Sequence, residues 1–359
     1  MALEKSEKDS PLPMLGMNCP IPISEYPQIL LAHGGGGTLS QQIIKKMIAP
    51  QFQNELLSPL HDGAIFTLGG TRFAFSTDSY VVSPIVFPGG DIGELAVYGT
   101  VNDLSMCGAR PQYLSAAFVI EEGFAMDDLW RIILSMKAAA EKAGILLVTG
   151  DTKVVDRGKG DKIYINTSGI GTIREGVNVS SRGARPGDVV ILSGEIAVHG
   201  IAIMSVREGL EFQSPIMSDT APLNGIVESM LEASPDIHVL RDPTRGGVAS
   251  ALNEIAESSH VGVEIQQEAI PISEPVRGAC EILGLDPLYV ANEGKLIAFV
   301  APGGAEDVLA CMRQHPLGKQ SAVIGQVVSD HSGTVVMKTS IGSARVVGML
   351  SGEQLPRIC

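Results

Sequence analysis

The sequence runs to 359 residues, with 26 Lys+Arg against 40 Asp+Glu, a net charge of −14, 45% hydrophobic and 18% charged residues. At about 100–200 residues per domain, that length suggests two domains with full cores, and the composition excludes a disordered chain. A chain this acidic, with 4% aromatic residues, is ill suited to nucleic-acid backbones or anionic membranes, so neither is expected as a partner.

In chain order, the first 30 residues carry five prolines and little periodicity, which predicts a mobile arm over residues 1–32. His33-Gly-Gly-Gly-Gly-Thr38 follows, with a helical pattern from Ser40 to Ile48 that Pro50 stops; together these form a glycine-rich segment and helix over 33–60. Residues 64–77 read as a hairpin turning at Gly69-Gly70 and ending at Asp78. Asp91-Ile-Gly-Glu94 has the form of a capping box, opening a helix that Gly108 ends. A second helix spans 127–143, then a buried strand, 145–148, runs into Gly150-Asp-Thr-Lys153, and a strand over 163–173 closes the first domain (61–180).

A boundary near Ser181 precedes the turn Pro186-Gly-Asp188. The second domain (181–345) mixes strands at 189–192, 238–240, 261–265, 296–300 and 322–328 with helices at 196–208, 248–257, 274–283 and 305–314. The fold class is therefore α/β (α+β), two mixed units of similar size. Residues 346–359 have no strong pattern and read as a free tail.

No apolar stretch reaches the ~18 residues that span a bilayer, and the N-terminal segment lacks the apolar core of a secretory signal. Five widely spaced cysteines (Cys19, Cys107, Cys280, Cys311, Cys359) contain no C-x-x-C pair, which argues against a disulfide framework or a zinc site and for a reduced, cytoplasmic protein. No G-x-x-x-x-G-K-[ST] and no strand-linked G-x-G-x-x-G occur, so neither a P-loop nor a dinucleotide fold is expected.

Three signals carry chemistry. Asp62, Asp78, Asp151 and Asp242 each fall where an apolar strand begins or gives out, and Asp103, beside Asn102, interrupts an apolar helix. Ligands gather at strand ends in layered α/β folds, and Mg²⁺ takes carboxylate together with phosphate oxygens; the same aspartates also suit solvated loops. Gly34, Gly35, Gly36 and Gly37, and Gly246 and Gly247 at the start of a helix, can bring backbone N–H groups to phosphates, or act as flexible linkers. Cys359 ends the sequence, and with Pro356 four from the end there is no prenylation box. It is either incidental or a carrier on an arm whose twelve residues reach roughly 40 Å. Lys153 and Glu293 suit surface charges or, in a cleft, proton transfer. His33, His199 and His238 lack metal-ligand spacing and read as structural, and the remaining cysteines as small hydrophobes.

Taken together, Asp78-Ser-Tyr-Val-Val, Pro88-Gly-Gly-Asp-Ile-Gly, Val101-Asn-Asp-Leu, Gly150-Asp-Thr-Lys-Val-Val, Arg241-Asp-Pro-Thr-Arg-Gly-Gly, Asn292-Glu-Gly-Lys and Pro356-Arg-Ile-Cys359 resemble the hydrogenase maturation protein HypE family. That family is grouped with aminoimidazole ribonucleotide synthetase, selenophosphate synthetase and thiamine monophosphate kinase. The resemblance runs from about His33 to Cys359. It implies a dimerising N-terminal ATP-binding domain, a C-terminal domain covering the cleft, and ATP and Mg²⁺ as cofactors. It also implies ATP-dependent dehydration of an S-carbamoyl group on Cys359 to S-cyanide, supplying cyanide ligands to the iron of [NiFe]-hydrogenases. Implied partners are a second copy in a homodimer, the carbamoyltransferase HypF and a HypC–HypD complex.

On the same basis Asp62, Asp78, Asp103, Asp151 and Asp242 are metal ligands. Gly34 to Gly37, Asn102, Thr152, Thr244, Gly246 and Gly247 hold nucleotide, and Cys359, Glu293 and Lys153 carry the chemistry. The rivals are another phosphoryl-transfer enzyme of the superfamily, selenophosphate synthetase-like or a small-molecule kinase, and a nucleotide-binding scaffold whose tail docks partners.

Overall fold

The computed structural model describes residues 27–210, 215–352, 355 and 357–359. Most of the expected N-terminal arm, with Cys19, lies outside them. The chain enters through a 3₁₀ turn at Leu31–Gly34, then α1 (Thr38–Gln42), which loosens into a π-helical turn over Ile43–Ile48. The hairpin β1 (Ala64–Leu68) and β2 (Thr71–Tyr80) turns on Gly69 and Gly70, both at positive φ as such a turn demands. After a small ribbon, β3 (Val86–Phe87) and β4 (Gly90–Asp91), come α2 (Ile92–Met106), β5 (Arg110–Glu121), α3 (Met126–Ala143), β6 (Leu146–Val155) and β7 (Ile163–Ile173). The first sheet has the order β1-β2-β7-β5-β6, with only β5 and β6 parallel.

The second half contributes β8 (Val189–Leu192), α4 (Val198–Arg207), α5 (Asn224–Ala233), β9 (Ile237–Arg241), α6 (Gly247–Ser259), β10 (Gly262–Gln266), α7 (Glu274–Leu283), β11 (Ile297–Val300), α8 (Pro302–Gln314), β12 (Ala322–Val328), β13 (Val335–Lys338) and β14 (Ala344–Val347). Its sheet runs β14-β13-β10-β12-β8-β11-β9.

The element that unites the halves is α2. Asp91 caps it as expected, accepting from the amides of Gly93 (2.8 Å) and Glu94 (3.0 Å) and from Ser135 Oγ (2.8 Å). Nearly every one of its residues is buried, the state of a helix apolar on all sides. Gly99 leaves room for the Tyr80 ring, whose hydroxyl would lie 2.2 Å from a Cβ there. One apolar core runs from this helix and the first sheet across to α5, α8 and one face of the second sheet. A second core packs α6 on the opposite face.

Several expectations change. Asp78 and Asp151 do not end strands: β2 continues to Tyr80, and β6 extends from Leu146 through Gly150-Asp-Thr-Lys153 to Val155. The tail is not free of the body. Cys359 and Ile358 are buried in the core that contains α2, and the Val81 and Ser83 amides donate to the Cys359 and Arg357 carbonyls at 3.1 and 3.2 Å. Backbone pairing of this kind depends on no side-chain period, so the sequence pattern carries no trace of it.

Candidate functional site: a carboxylate cluster beneath the docked tail

A cleft of about 920 Å³ opens between the two sheets, lined among others by Asp62, Asp78, Asp103, Asp242, Thr244 and Arg245. Three elements converge on it. Asp62 precedes β1, Asp103 projects from the last turn of α2, and Asp242 follows directly on β9. One carboxylate oxygen of each lies within 4.8 Å of the other two. Three carboxylates so close together cannot all be charged without a cation.

Burial, and then the charges of Asp242, Asp62 and Asp78, push the Asp103 carboxyl well above the carboxylate range. Burial and then Asp62 push Asp242 up to about 7. Asp62 goes the other way: burial opposes its charge, but the Arg241 guanidinium and His61 outweigh it. Arg241 spans Asp62 and Glu254, the latter at 2.7 Å. Ser76 Oγ donates to Asp103 at 2.7 Å. Asp62 Oδ2 is buried without a hydrogen-bond partner. An all-oxygen set with an orphaned carboxylate oxygen fits a hard divalent cation. Asp78 stands beside the cluster, 3.4 Å from Arg245.

On the other flank lie Cys359 and Glu293. Burial drives the Cys359 thiol upward, against the pull of Arg245, while Glu293, Asp78 and Asp242 add to the rise. Glu293 is also buried, with Oε1 unpartnered, and its carboxyl is pushed well up by burial and then by Asp242, Asp219 and Asp78. The expected carrier and one expected proton-transfer group are thus adjacent to the aspartates. The loop after Asp242 turns on Gly246 and Gly247, both at positive φ, to start α6. Gly36, also at positive φ, lies directly on it; a Cβ there would meet Arg245 backbone and Cβ atoms at 2.8 Å. The glycine segment therefore closes over the 242–247 loop, and Thr38 ties it to the tail by donating its amide to the Leu350 carbonyl at 2.9 Å.

Within this chain two groups of the expected residues lie away from the aspartate cluster. Asn102 does not face the cleft: its amide nitrogen donates to the Ala221 (3.1 Å) and Glu293 (3.2 Å) carbonyls, and its oxygen accepts from the Leu223 amide (2.8 Å). It staples α2 to the second half and positions Glu293. Asp151, Thr152 and Lys153 are exposed on the edge strand β6, with Lys153 ion-paired to Asp151 at 2.6 Å. One register row joins Asp78, Thr167, Ala116 and Gly150 across the sheet, so three strand spacings, about 14 Å, separate β6 from the cluster.

Residues missed by the sequence reading are Arg241, Arg245, Ser76 and His61. The two arginines flank Asp242 in the motif Arg-Asp-Pro-Thr-Arg, and a cation on each side of a buried acid was the available signal. His238 is structural, as read, with Nδ1 2.9 Å from Asp188. His199 is more than that: it contacts the tail.

Residues 60–173 match the N-terminal domain, and 185–338 the C-terminal domain, of AIR synthase related proteins. This defines the class. The chain is 54% identical to the carbamoyl dehydratase HypE of Azotobacter vinelandii over 329 residues, 92% of this chain and 96% of that protein. It is 44% identical to the HypE of Escherichia coli K12 over 336 residues, covering 92% and 99%. A crystal structure of HypE in complex with ATP superposes with TM-score 0.78 at 51% identity, covering 92% of this chain and all of the other. That of a HypE–HypF complex gives 0.82 at 49%, covering 86% and 99%. The chain belongs to the HypE family of carbamoyl dehydratases, which serve hydrogenase maturation. No helix among the described residues is long and apolar enough to cross a membrane.

Proposed function

We propose that this protein uses ATP to dehydrate a carbamoyl group carried on the Cys359 sulfur to a cyanide, R–S–C(=O)NH₂ to R–S–C≡N, releasing ADP and phosphate. The observation that carries the reading is the buried Cys359, whose sulfur lies within the electrostatic reach of Glu293, Asp78 and Asp242, beside the cleft that holds the three-aspartate cluster. The carbamoyl oxygen attacks the γ-phosphorus and ADP departs. One N–H proton is lost to give the imidate phosphate. Loss of the second N–H proton, with cleavage of the C–O bond, expels phosphate and leaves the nitrile. Asp62, Asp103 and Asp242, with Asp78 beside them, would hold Mg²⁺, which neutralises charge on the transferring phosphoryl group. The glycine segment and the Thr244–Gly247 loop, at the N-terminus of α6, are placed to meet phosphates.

Glu293 is the proton acceptor available in this chain. Burial makes its carboxylate a strong base once ionised, and a cation at the aspartate cluster together with Arg245 would favour that ionised form within a closed site. Arg245 opposes the rise of the Glu293 carboxyl and sits against both Asp78 and the sulfur. The same burial that keeps the Cys359 thiol neutral is compatible with a thiocarbamate, which bears no charge. Loading needs the thiolate and therefore an undocked tail. HypF as the carbamoyl donor and a HypC–HypD complex as the cyanide acceptor belong to this reading, as does a cytoplasmic setting.

A homodimer accounts for the stranded β6 residues. This edge strand exposes Leu146, Val148 and Val154, and α3 nearby exposes Met126 and Trp130, an unprotected apolar edge of the kind that pairs with another chain. A second copy covering this face would carry Asp151, Thr152 and Lys153 toward a cleft they do not reach alone. In this division residues 61–180 bind nucleotide and dimerise, and 181–345 cover the cleft. ATP turnover tests the reading: phosphate release by the carbamoylated protein should stop in Cys359→Ser and fall at least tenfold in Glu293→Gln. Undiminished turnover in both would mean a different phosphoryl acceptor.

A further inference from the structure

The docked tail is held by side chains to which the reaction above gives no role. His199, the second residue of α4, is buried, and its Nε2 lies 2.8 Å from the Ile358 carbonyl. A carbonyl only accepts, so Nε2 carries the hydrogen. Burial, more than any other influence, lowers the proton affinity of His199, so the ring is neutral and Nδ1 is an acceptor. Its partner is Ser218 Oγ at 2.8 Å, which in turn stands 2.7 Å from Thr220 Oγ1 and accepts from the Thr220 amide at 3.1 Å. The chain of donors is therefore Thr220 hydroxyl to Ser218, Ser218 hydroxyl to His199 Nδ1, and His199 Nε2–H to the tail.

The Phe87 ring meets the imidazole edge-on, 5.5 Å between centroids, and the Ser218 amide donates to the Pro88 carbonyl at 2.7 Å. Nδ1 and the ring plane are thus fixed by groups outside the tail, which leaves Nε2–H for the Ile358 carbonyl. About two turns further on, at the end of α4, Arg207 donates Nε to the Ser83 carbonyl at 2.5 Å and Nη2 to the Arg357 carbonyl. Asp161 pairs with the Arg357 guanidinium. Asp219, inside the same Ser218–Thr220 segment, accepts from the Glu293 amide at 3.2 Å and is 3.2 Å from Lys295. One short segment therefore sets both the imidazole that holds the tail and the backbone of the proton acceptor.

We infer that His199, oriented by Ser218 and Thr220, and Arg207 form a clamp on the last tail carbonyls, positioning the Cys359 sulfur against Glu293. His199 is a positioning residue: it touches the carrier peptide and not the reacting atoms. The clamp grips backbone carbonyls, so it is indifferent to whether the sulfur bears hydrogen, carbamoyl or cyanide, as a carrier that docks in several states requires. The inference rests on the carrier reading for its purpose, but its geometry is testable without any reaction.

The test is the rate of Cys359 alkylation by iodoacetamide in the full-length protein, without nucleotide or partner, followed by peptide mass spectrometry. Buried Cys280 serves as an internal control for global opening. Loss of one docking hydrogen bond shifts the docking equilibrium, and with it the reactive undocked fraction, about 5- to 10-fold. His199→Ala and Arg207→Ala should each raise the Cys359 rate by that factor with Cys280 unchanged. His199→Gln, whose amide nitrogen can replace the Nε2 donor, should restore protection, whereas His199→Phe should not. Rates at Cys359 that do not differ among these variants, or His199→Gln reacting as fast as His199→Ala, would overturn the clamp. Dehydration is measured separately, so a protein that protects Cys359 yet never forms cyanide would defeat the functional reading and leave the clamp standing.

Discussion

Replacing Asp103 by Asn probes the cluster at its most frustrated member. Its oxygens lie within 4.8 Å of those of Asp62 and Asp242; at that separation two unit charges repel by about 3.5 kcal/mol with an effective dielectric of 20. Arg241 offsets one of the three charges, and burial with neighbouring acids raises the proton affinity of Asp103 and, to about 7, that of Asp242. Asp103 is therefore the member whose charge is least favoured without metal, and Asn keeps an uncharged acceptor for Ser76 in its place. The metal-free melting temperature should move by no more than a degree or two. Mg²⁺ at a hundred times its Kd stabilises a single-site protein by about 2.7 kcal/mol. In a chain of this size, at about 2.1 cal/mol/K of unfolding entropy per residue, that raises the melting point by about 3–4 °C. The variant should lose most of that increment. Differential scanning fluorimetry over a Mg²⁺ titration at pH 7.5 reads both quantities. A variant that keeps the full Mg²⁺ increment, or melts far lower without metal, would refute the placement of the cation and the protonation argument.

The remaining predictions concern the same frame. The Asp242 carboxyl is raised in the folded protein from 3.8 to about 7, so the folded state binds the extra proton. The Asp242 contribution to metal-free stability should be fully present below pH 4 and be lost as pH rises to about 7, on the order of 4 kcal/mol at 1.36 kcal/mol per pH unit. Asp242→Asn should flatten that decline in urea melts taken across the range; an unchanged slope would assign it elsewhere. Asn102→Ala leaves the Leu223 amide and the Ala221 and Glu293 carbonyls without their partner and should cost about 3 kcal/mol in denaturant unfolding; a cost under half that would mean water substitutes. Leu146→Glu on the exposed edge should yield a monomer by sedimentation while leaving the fold intact by circular dichroism. A dimer that persists would move the interface off β6.

Much of the frame was legible in the sequence. Asp91 announces the start of α2 because a short acid before an apolar run satisfies orphaned amides, and Gly69-Gly70 announces the β1–β2 turn because only glycine takes positive φ freely. The strand β5 passed unread: its opening Arg-Pro-Gln and its later Ala-Ala lack β-branched residues, and its main pairing partner, β7, lies some fifty residues further along the chain. The short strands β13 and β14 are completed by pairing with β10 and with each other, which no local period encodes.

The site divides along the same line. Asp62, Asp103 and Asp242 converge as the motifs suggested, yet Asp151 and Lys153 do not, because sheet order, invisible to local pattern, puts β6 at the far edge. Asn102 sits beside Asp103 on α2 but points to the other half of the molecule, since neighbours on a helix face directions about a quarter-turn apart. The tail went unread because backbone carbonyls, which every residue has, are what the body grips.

The measurement that bears most directly on the account is the intact mass of the C-terminal peptide after incubation with carbamoyl phosphate, HypF and Mg·ATP. The account predicts a carbamoyl adduct on Cys359 that loses the mass of one water when hydrolysable ATP is present and keeps it with a non-hydrolysable analogue. An adduct that retains its water under turnover conditions, or no adduct on Cys359 at all, would contradict it.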